Sequence, residues 1–349
     1  MLKNSDIANL LAAESETAQQ PLQKAYRRAA RRAFLWPEEA HKLLQSNRSL
    51  TEFSGVGPFL EKRIWRWIDS PPKLPDVPAT RSGFISIPEA QAALAKKPEW
   101  LSGIRGDLQM HSEWSDGTGS IREMAEAAME RRYEYVAITD HSKGLKIAGG
   151  IDEKQLEQQA EEIDEVNRSM RHSGKNFRVL RSIELNLSPR GAGDMDETAL
   201  NKLDVVLGCF HSSLRKTEDQ TERYVAALRN PTIQILGHPR GRIYNYRLGL
   251  LADWSRVFGT AAELDKAVEI DGYPDRQDLS PDLIVLARKA GCRISLGTDS
   301  HGPSQLPFMQ LAVASAMRAG IKRERILNFM ARDEFLNWVK KVRETAGAN

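Results

Sequence analysis

From Gly106 onward, short β-rich runs recur every few tens of residues with helical stretches between them, and few folds tolerate that rhythm. The runs are Gly106–His111, Tyr135–His141, Phe177–Leu187, Val205–Ser212, Ile233–Pro239, Val268–Asp271 and Ile294–Ser300. Apolar spacing of the helical kind fills the gaps over Ile121–Arg131, Glu153–Met170, Asp219–Arg229, Leu283–Lys289 and Gln310–Arg318. Seven β-then-α units predict an α/β fold with a parallel sheet, and a closed, distorted (β/α)7 barrel is the natural way to hold seven. A doubly wound open sheet is the alternative.

The polar residues follow the same rhythm. Five of the seven histidines, His111, His141, His211, His238 and His301, stand at or just past the C-terminal end of a β run. Asp116, Glu184 and Asp299 occupy equivalent places. In a barrel every such end opens on one face, so residues far apart in the chain converge on one cleft. A single strand-end histidine is more often a satisfied polar side chain than a ligand. Five together are hard to explain that way, because only cations hold so many neutral imidazoles and ionised carboxylates without a heavy desolvation cost. Mixed nitrogen and oxygen donors without thiolates suit Mn, Zn or Fe, and eight donors imply two or three divalent ions. Closely spaced ions with open positions suit displacement at phosphorus by an activated water, which makes metal-assisted phosphoester hydrolysis the expected chemistry. Arg240, Arg242 and Lys143 are then the candidates for binding substrate phosphate. His41 and His172 match no strand end and read as structural.

The N-terminal part has another character. At 349 residues the chain is long enough for two domains. Residues 1–69 are patterned as helices: Ile7, Leu10 and Leu11 recur at helical spacing, as do Ala25, Ala29, Ala30, Ala33 and Phe34. Pro37-Glu38-Glu39 reads as the first turn of a further helix. Five prolines between Ser70 and Pro88 mark 70–102 as a Pro-rich linker before a domain over 103–345. Residues 1–81 hold 13 basic and 9 acidic side chains, so all of the chain's +3 excess lies there, as a polyanion-binding part requires. Gly55 and Gly57 flank Val56 between two short apolar-patterned stretches. Such a hairpin exposes backbone N–H groups to a phosphate, aided by Lys62 and Arg63; the plain alternative is an ordinary helix connection. Cys209 and Cys292 sit in apolar runs and read as reduced core thiols. No run is long and apolar enough to span a membrane, and the N-terminus lacks a signal-peptide layout, which predicts a cytoplasmic protein with no membrane partner.

The strings around His111–Gly117, Ala137–Ser142, Gly208–Ser212, Leu236–Arg242 and Ser295–Gly302 make residues 103–343 resemble the polymerase-and-histidinol-phosphatase (PHP) superfamily, above all the PHP domain of bacterial family X DNA polymerases. The resemblance implies a TIM-like, distorted (β/α)7 barrel with a trinuclear metal site. Its ligands, carried over by position, are His111, Asp116, His141, Glu184, His211, His238, Asp299 and His301. One position departs: where the superfamily often has His-x-His, this chain has Gln109-Met110-His111, so Gln109 offers a weaker amide oxygen as a ninth donor. Residues 1–68 resemble the helix-hairpin-helix domain of the same polymerases. Roughly 40 residues separate hairpin from barrel, too few for a polymerase core, so the chain is not expected to polymerise DNA.

Three functions are compatible with these features. The first is a metal-dependent phosphoesterase on nucleic acid, DNA in preference to RNA, acting as a 3′-5′ exonuclease or 3′-phosphatase. A small-molecule phosphatase of the histidinol-phosphate type shares the metals but has no use for a basic hairpin domain. A non-catalytic nucleic-acid-binding module would follow if Gln109 had abolished metal binding.

Overall fold

A computed structural model describes residues 1–347. Eight strands, β1 (Gly106–Met110), β2 (Tyr135–Ile138), β3 (Arg178–Arg181), β4 (Glu184–Asn186), β5 (Leu207–Cys209), β6 (Ile235–Leu236), β7 (Ala267–Asp271) and β8 (Arg293–Gly297), pair in parallel in sequence order. The expected third run is thus two strands, one ending the three-stranded sheet and the other opening the five-stranded one. Backbone bonding bridges the break, since Glu184 N–H donates to Asp140 O and Leu207 N–H to Ile183 O. Parallel contact of Met110 with Ser300 joins β1 to the chain just past β8, so the seven-unit barrel closes. The open-sheet alternative is excluded.

Helices Ile121–Glu130, Glu153–His172, Glu197–Leu200, Thr221–Arg229, Trp254–Glu263, Pro281–Ala290 and Met309–Arg318 follow the strands in turn. Local chemistry starts them. Ser120 with Glu123 and Asp152 with Gln155 form reciprocal capping pairs, and Pro281 occupies a first turn. At the end where the strands begin, helix Arg332–Gly347 plugs the barrel. Its Phe335 and Trp338 share a buried cluster with Leu108, Tyr135, Leu180, Leu207 and Ile235. The opposite end is left for the polar residues.

The N-terminal part consists of helices Asn4–Thr17, Leu22–Ala33, Ala40–Gln45 and Pro58–Asp69 around a core that includes Leu11, Phe34, Trp36, Leu50 and Trp67. Pro37 and Glu38 precede the third helix and Glu39 is its N-cap, three residues later than the expected start. In the segment read as a linker, residues 71–78 carry no regular structure, but Ile87–Leu94 and Glu99–Ser102 are helical. Ile87, Ala90, Leu94 and Trp100 belong to the barrel's main apolar core. Pro88 does not break the first of these helices because proline is tolerated in a first turn, where its missing N–H has no partner to lose. Among the described residues no helix is long and apolar enough to cross a membrane.

Candidate metal centre

All five strand-end histidines and all three carboxylates meet at the mouth of the barrel. The His111 ring lies 4.4 Å from those of His141 and His301, His141 lies 5.3 Å from His211, and His211 lies 5.4 Å from His238. Glu184, fully buried, is the hub. Its Oε1 is 2.7 Å from Nε2 of both His211 and His238, and its Oε2 is 3.2 Å from His111 Nε2 and 3.6 Å from His141 Nδ1. Asp116 Oδ1 faces His301 Nε2 at 3.4 Å and His141 Nε2 at 3.6 Å, and Asp299 Oδ1 is 3.0 Å from His111 Nε2. Four groups of donors lie close enough to share an ion: His111-Asp116-His141-His301, His141-Glu184-His211, His111-Glu184-Asp299, and Glu184-Cys209-His238.

The donor chemistry fits cations. His301 Nδ1 is 2.7 Å from the Asp299 carbonyl and His211 Nδ1 is 3.1 Å from Asn186 Oδ1, so an acceptor holds the proton on each Nδ1 and turns Nε2 toward a carboxylate. A lone pair aimed at a carboxylate is repulsive unless a proton or a metal lies between them. Among the described residues, the buried Nδ1 atoms of His111 and His141 and the Oε1 of Gln109 have no hydrogen-bond partner. Such groups are costly to bury and acquire their partner when an ion binds.

The charges of the cluster are strongly coupled. Burial works to raise the Glu184 carboxyl, but the surrounding imidazoles outweigh it and hold the group well below the usual carboxylate range. Asp299 behaves likewise: burial is overcome by Arg276 and then by His111. Burial also opposes a proton on His111, yet Asp299 and Glu184 raise it well above the ordinary imidazole value, and Glu184 raises His238 against the same penalty. Burial pushes His141 down to about 3, against the attraction of Glu184 and with help from the charges on His111 and His211. His141 is therefore neutral at physiological pH and ready to ligate. The raised values favour a proton on His111 and on His238, which an incoming ion has to displace.

Gln109 lies at the expected place, but its Nε2 donates to Glu184 Oε2 at 3.1 Å. Beneath the cluster, the absence of a side chain at Gly297 makes room for Gln109 and Glu269, since a Cβ there would collide with both. Asp299 sits in the left-handed region at φ +50, one of the strained backbones that functional sites hold in place.

The expected phosphate-binding cations are placed differently. Arg242 is only 3 % exposed; its guanidinium lies 3.8 Å from the Phe84 ring centroid and donates to the Ser82 carbonyl, so it clamps the N-terminal strap. Lys143 pairs with Glu153 at 2.7 Å, and Arg240 donates to Ser280 at 3.3 Å. In the hairpin, Arg63 pairs with Glu14 at 2.5 Å and lies over Trp67, while Lys62 is exposed. Gly55 has φ +87 and Gly57 caps helix Pro58–Asp69.

Sequence reasoning missed four groups at the site. Arg276, in the loop after β7, reaches Asp299 Oδ2 at 2.7 Å, and Asp299, Asp271 and Glu184 raise it against burial. Asp271 ends β7 as Asp299 follows β8, so the rule that found Asp299 would have found it. Glu269, an acid inside a fully buried strand, accepts from His238 N–H at 2.6 Å, and burial pushes it up to about 8. Cys209, expected as a core thiol, is buried beside Glu184 and His238; burial and then the charges of Glu184, Glu269 and Asp299 raise it well above its ordinary value, which keeps it a neutral thiol.

The family described as the PHP domain matches residues 107–283. The DNA polymerase/3'-5' exonuclease PolX of Bacillus subtilis (strain 168) is 38 % identical over 229 residues, covering 65 % of this chain and 40 % of that protein. The chain thus spans two fifths of that relative's length. A probable phosphatase of Thermoanaerobacter sp. (strain X514) is 27 % identical over 224 residues, 60 % of this chain and 83 % of the relative. Among solved structures, a histidinol phosphate phosphatase from Lactococcus lactis, complexed with Zn, L-histidinol and phosphate, is 16 % identical. It covers 70 % of this chain and 94 % of its own, at a TM-score of 0.40.

Proposed function

This chain belongs to the PHP domain family and is a metal-dependent phosphoesterase, and we propose that it hydrolyses nucleic acid at 3′ ends, as a 3′-5′ exonuclease or a 3′-phosphatase. The observation that carries the chemistry is the Glu184 hub, around which imidazole nitrogens either face acceptors or stay unpartnered in a buried cleft. Nucleic acid as the substrate is supported by the likeness to a Bacillus protein named as a polymerase and exonuclease, and by the positive excess of residues 1–81.

The residues that would hold two or three ions are His111, Asp116, His141, Glu184, His211, His238, Asp299 and His301, with Gln109 as a weaker donor. Bound there, divalent ions supply Lewis acidity toward a phosphoryl oxygen and acidify water. The chain itself supplies position and charge. Asn186 and the Asp299 carbonyl fix the His211 and His301 rings, and Gln305 holds the His301 backbone through a 2.8 Å bond from its N–H. Glu184 is shared by three donor groups and so sets their spacing. Arg276 brings a fixed positive charge to the cleft, where a planar fork of donors suits the oxygens of a phosphate.

End-labelled DNA and RNA with 3′ and 5′ tails, incubated with Mn, Zn and Mg in parallel, test the reading. Loss of 3′-terminal nucleotides or phosphate is expected, and His141→Ala or Asp299→Asn should abolish it on short and long substrates alike. Release of neither nucleotide nor phosphate from any strand overturns it. A small-molecule phosphatase is the second reading, favoured by the likeness to the Thermoanaerobacter probable phosphatase over 83 % of its length. It requires fast turnover of a phosphomonoester and none of an oligonucleotide.

A further inference from the structure

Helix Leu22–Ala33 places Tyr26, Ala29, Ala30 and Ala33 in the N-terminal core and leaves Lys24, Arg27, Arg28, Arg31 and Arg32 exposed. It contains no acidic residue. Glu14 and Glu16, which could have neutralised it, pair instead with Arg63 and Arg81. Cations at i and i+4 on one helix repel one another, and Arg27 with Arg31 and Arg28 with Arg32 have that spacing. Such an array is stabilised by an outside polyanion.

The position of the array shows what the polyanion meets next. Arg31 and Arg32 line a cavity of about 630 Å³ whose lining also includes Tyr273, Asp275, Gln305 and Phe308. Arg27 and Arg31 line an adjoining cavity of about 520 Å³ with Asn245 and Tyr246. Tyr273 and Gln305 also touch the metal centre: the Tyr273 ring is 6.1 Å from that of His301, and Gln305 bonds the His301 backbone. Tyr273 and Gln305 thus link the cavity beside the arginine helix to the edge of the cluster at His301. Asp275, which lines both cavities, is itself faced by Arg276 and Arg31, and Glu16, on the second, pairs with Arg81. The glycine hairpin lies behind the array, because a Cβ at Gly55 would come 3.3 Å from Arg32 Cγ.

We propose that helix Leu22–Ala33 is the strand-binding surface of the enzyme, with Arg27, Arg31 and Arg32 holding the phosphates of a single nucleic-acid strand whose end lies in the metal cleft. A single strand fits because aromatic faces accompany the cations. Tyr273 and Phe308, half-buried, line the first cavity, and Tyr246, 60 % exposed with Arg215 over one face, lines the second; unpaired bases stack on such rings. This assignment rests on the nucleic-acid reading of the metal centre and names the residues that deliver the substrate to it.

The test compares the Mn-loaded protein with two variants, one carrying Arg27→Ala, Arg31→Ala and Arg32→Ala, the other the same three positions changed to Lys. Binding of a fluorescent phosphorothioate DNA strand of about 20 nucleotides is measured by anisotropy from 50 to 200 mM salt, with metal content and melting temperature as checks on folding. Three lost phosphate contacts should flatten the log–log salt slope by about 2, so the affinity lost across that range shrinks by roughly 20-fold in the alanine variant. The lysine variant, which keeps the charges, should keep the slope. If the parent digests an unmodified strand while the folded alanine variant binds with unchanged affinity and slope, the helix assignment falls and the phosphoesterase reading stands. If the parent neither binds nor digests any strand, both fall.

Discussion

Tyr244 should decide whether the basic helices stay in register with the metal cleft. It belongs to the long segment between β6 and helix Trp254–Glu263, yet its ring is buried in the N-terminal core, whose other fully buried members all come from residues 2–84. Phe34 and Phe84 meet it edge-on at 4.8 and 5.2 Å, and its hydroxyl donates to Asn9 Oδ1 at 3.0 Å. Removing a buried aromatic ring costs about 3–5 kcal/mol, of which the hydroxyl bond accounts for about 1 kcal/mol. In Tyr244→Ala the loss should appear as release of the strap that runs between the two parts, because Arg81 is 5 % exposed and unreachable by trypsin while the strap is docked. Cleavage after Arg81 under native conditions follows the open population when reclosing is fast. A loss of about 3 kcal/mol then predicts roughly 150-fold faster cleavage, and Tyr244→Phe about 5-fold. Equal cleavage rates for parent and Tyr244→Ala would refute the docking role of this ring.

Stripping the metals with a chelator should lower the melting temperature, and Mn should restore it, since each ion at about 100 times its Kd adds about 2.7 kcal/mol. Rebinding should release protons, because His111 and His238 carry raised pKa values that an ion must overcome, and affinity should therefore fall with falling pH; calorimetry in two buffers of different ionisation enthalpy reads this, and pH-independent binding contradicts it. Gln109→His replaces an amide oxygen by an imidazole in the cluster and should slow loss of metal to a chelator by about tenfold or more; an unchanged rate would mean that residue 109 binds no ion. Burial holds Lys266 down at about 8 from its ordinary 10.5, a charging cost of about 3 kcal/mol below pH 8 that is relieved as pH rises toward 10.5. Lys266→Met loses the bond to the Asn230 carbonyl and should still unfold at higher urea than the parent at pH 7, with the advantage shrinking by pH 10; an advantage independent of pH would refute the buried-ammonium account.

The site was legible where chemistry is written into local sequence. His111, His141, His211, His238 and Asp299 each follow a short apolar run, and a parallel barrel leaves such residues no destination except one rim, so rhythm and residue type together located the cluster. Long side chains beyond a turn were not legible. Arg242 lies four residues after His238, which suggested the cleft, but the chain reverses at Gly241 with φ +66 and carries Arg242 away to Phe84. Arg276 lies five residues past β7 and its loop brings it back onto Asp299. Nothing in either local sequence distinguishes the two directions. The same limit governed the N-terminal part. Glycine spacing drew attention to the hairpin, but which surface faces the cleft depends on how Phe34, Phe84 and Tyr244 dock the helices on the barrel. That docking puts Gly55 behind Arg32 and turns Arg27 and Arg31 toward Tyr273 and Tyr246. The arginine periodicity was visible in the chain all along, as an amphipathic helix with alanines inside. The proposed role for it depends on an aromatic contact between distant segments, which sets its charged face beside Tyr273 at the edge of the cluster built from the barrel.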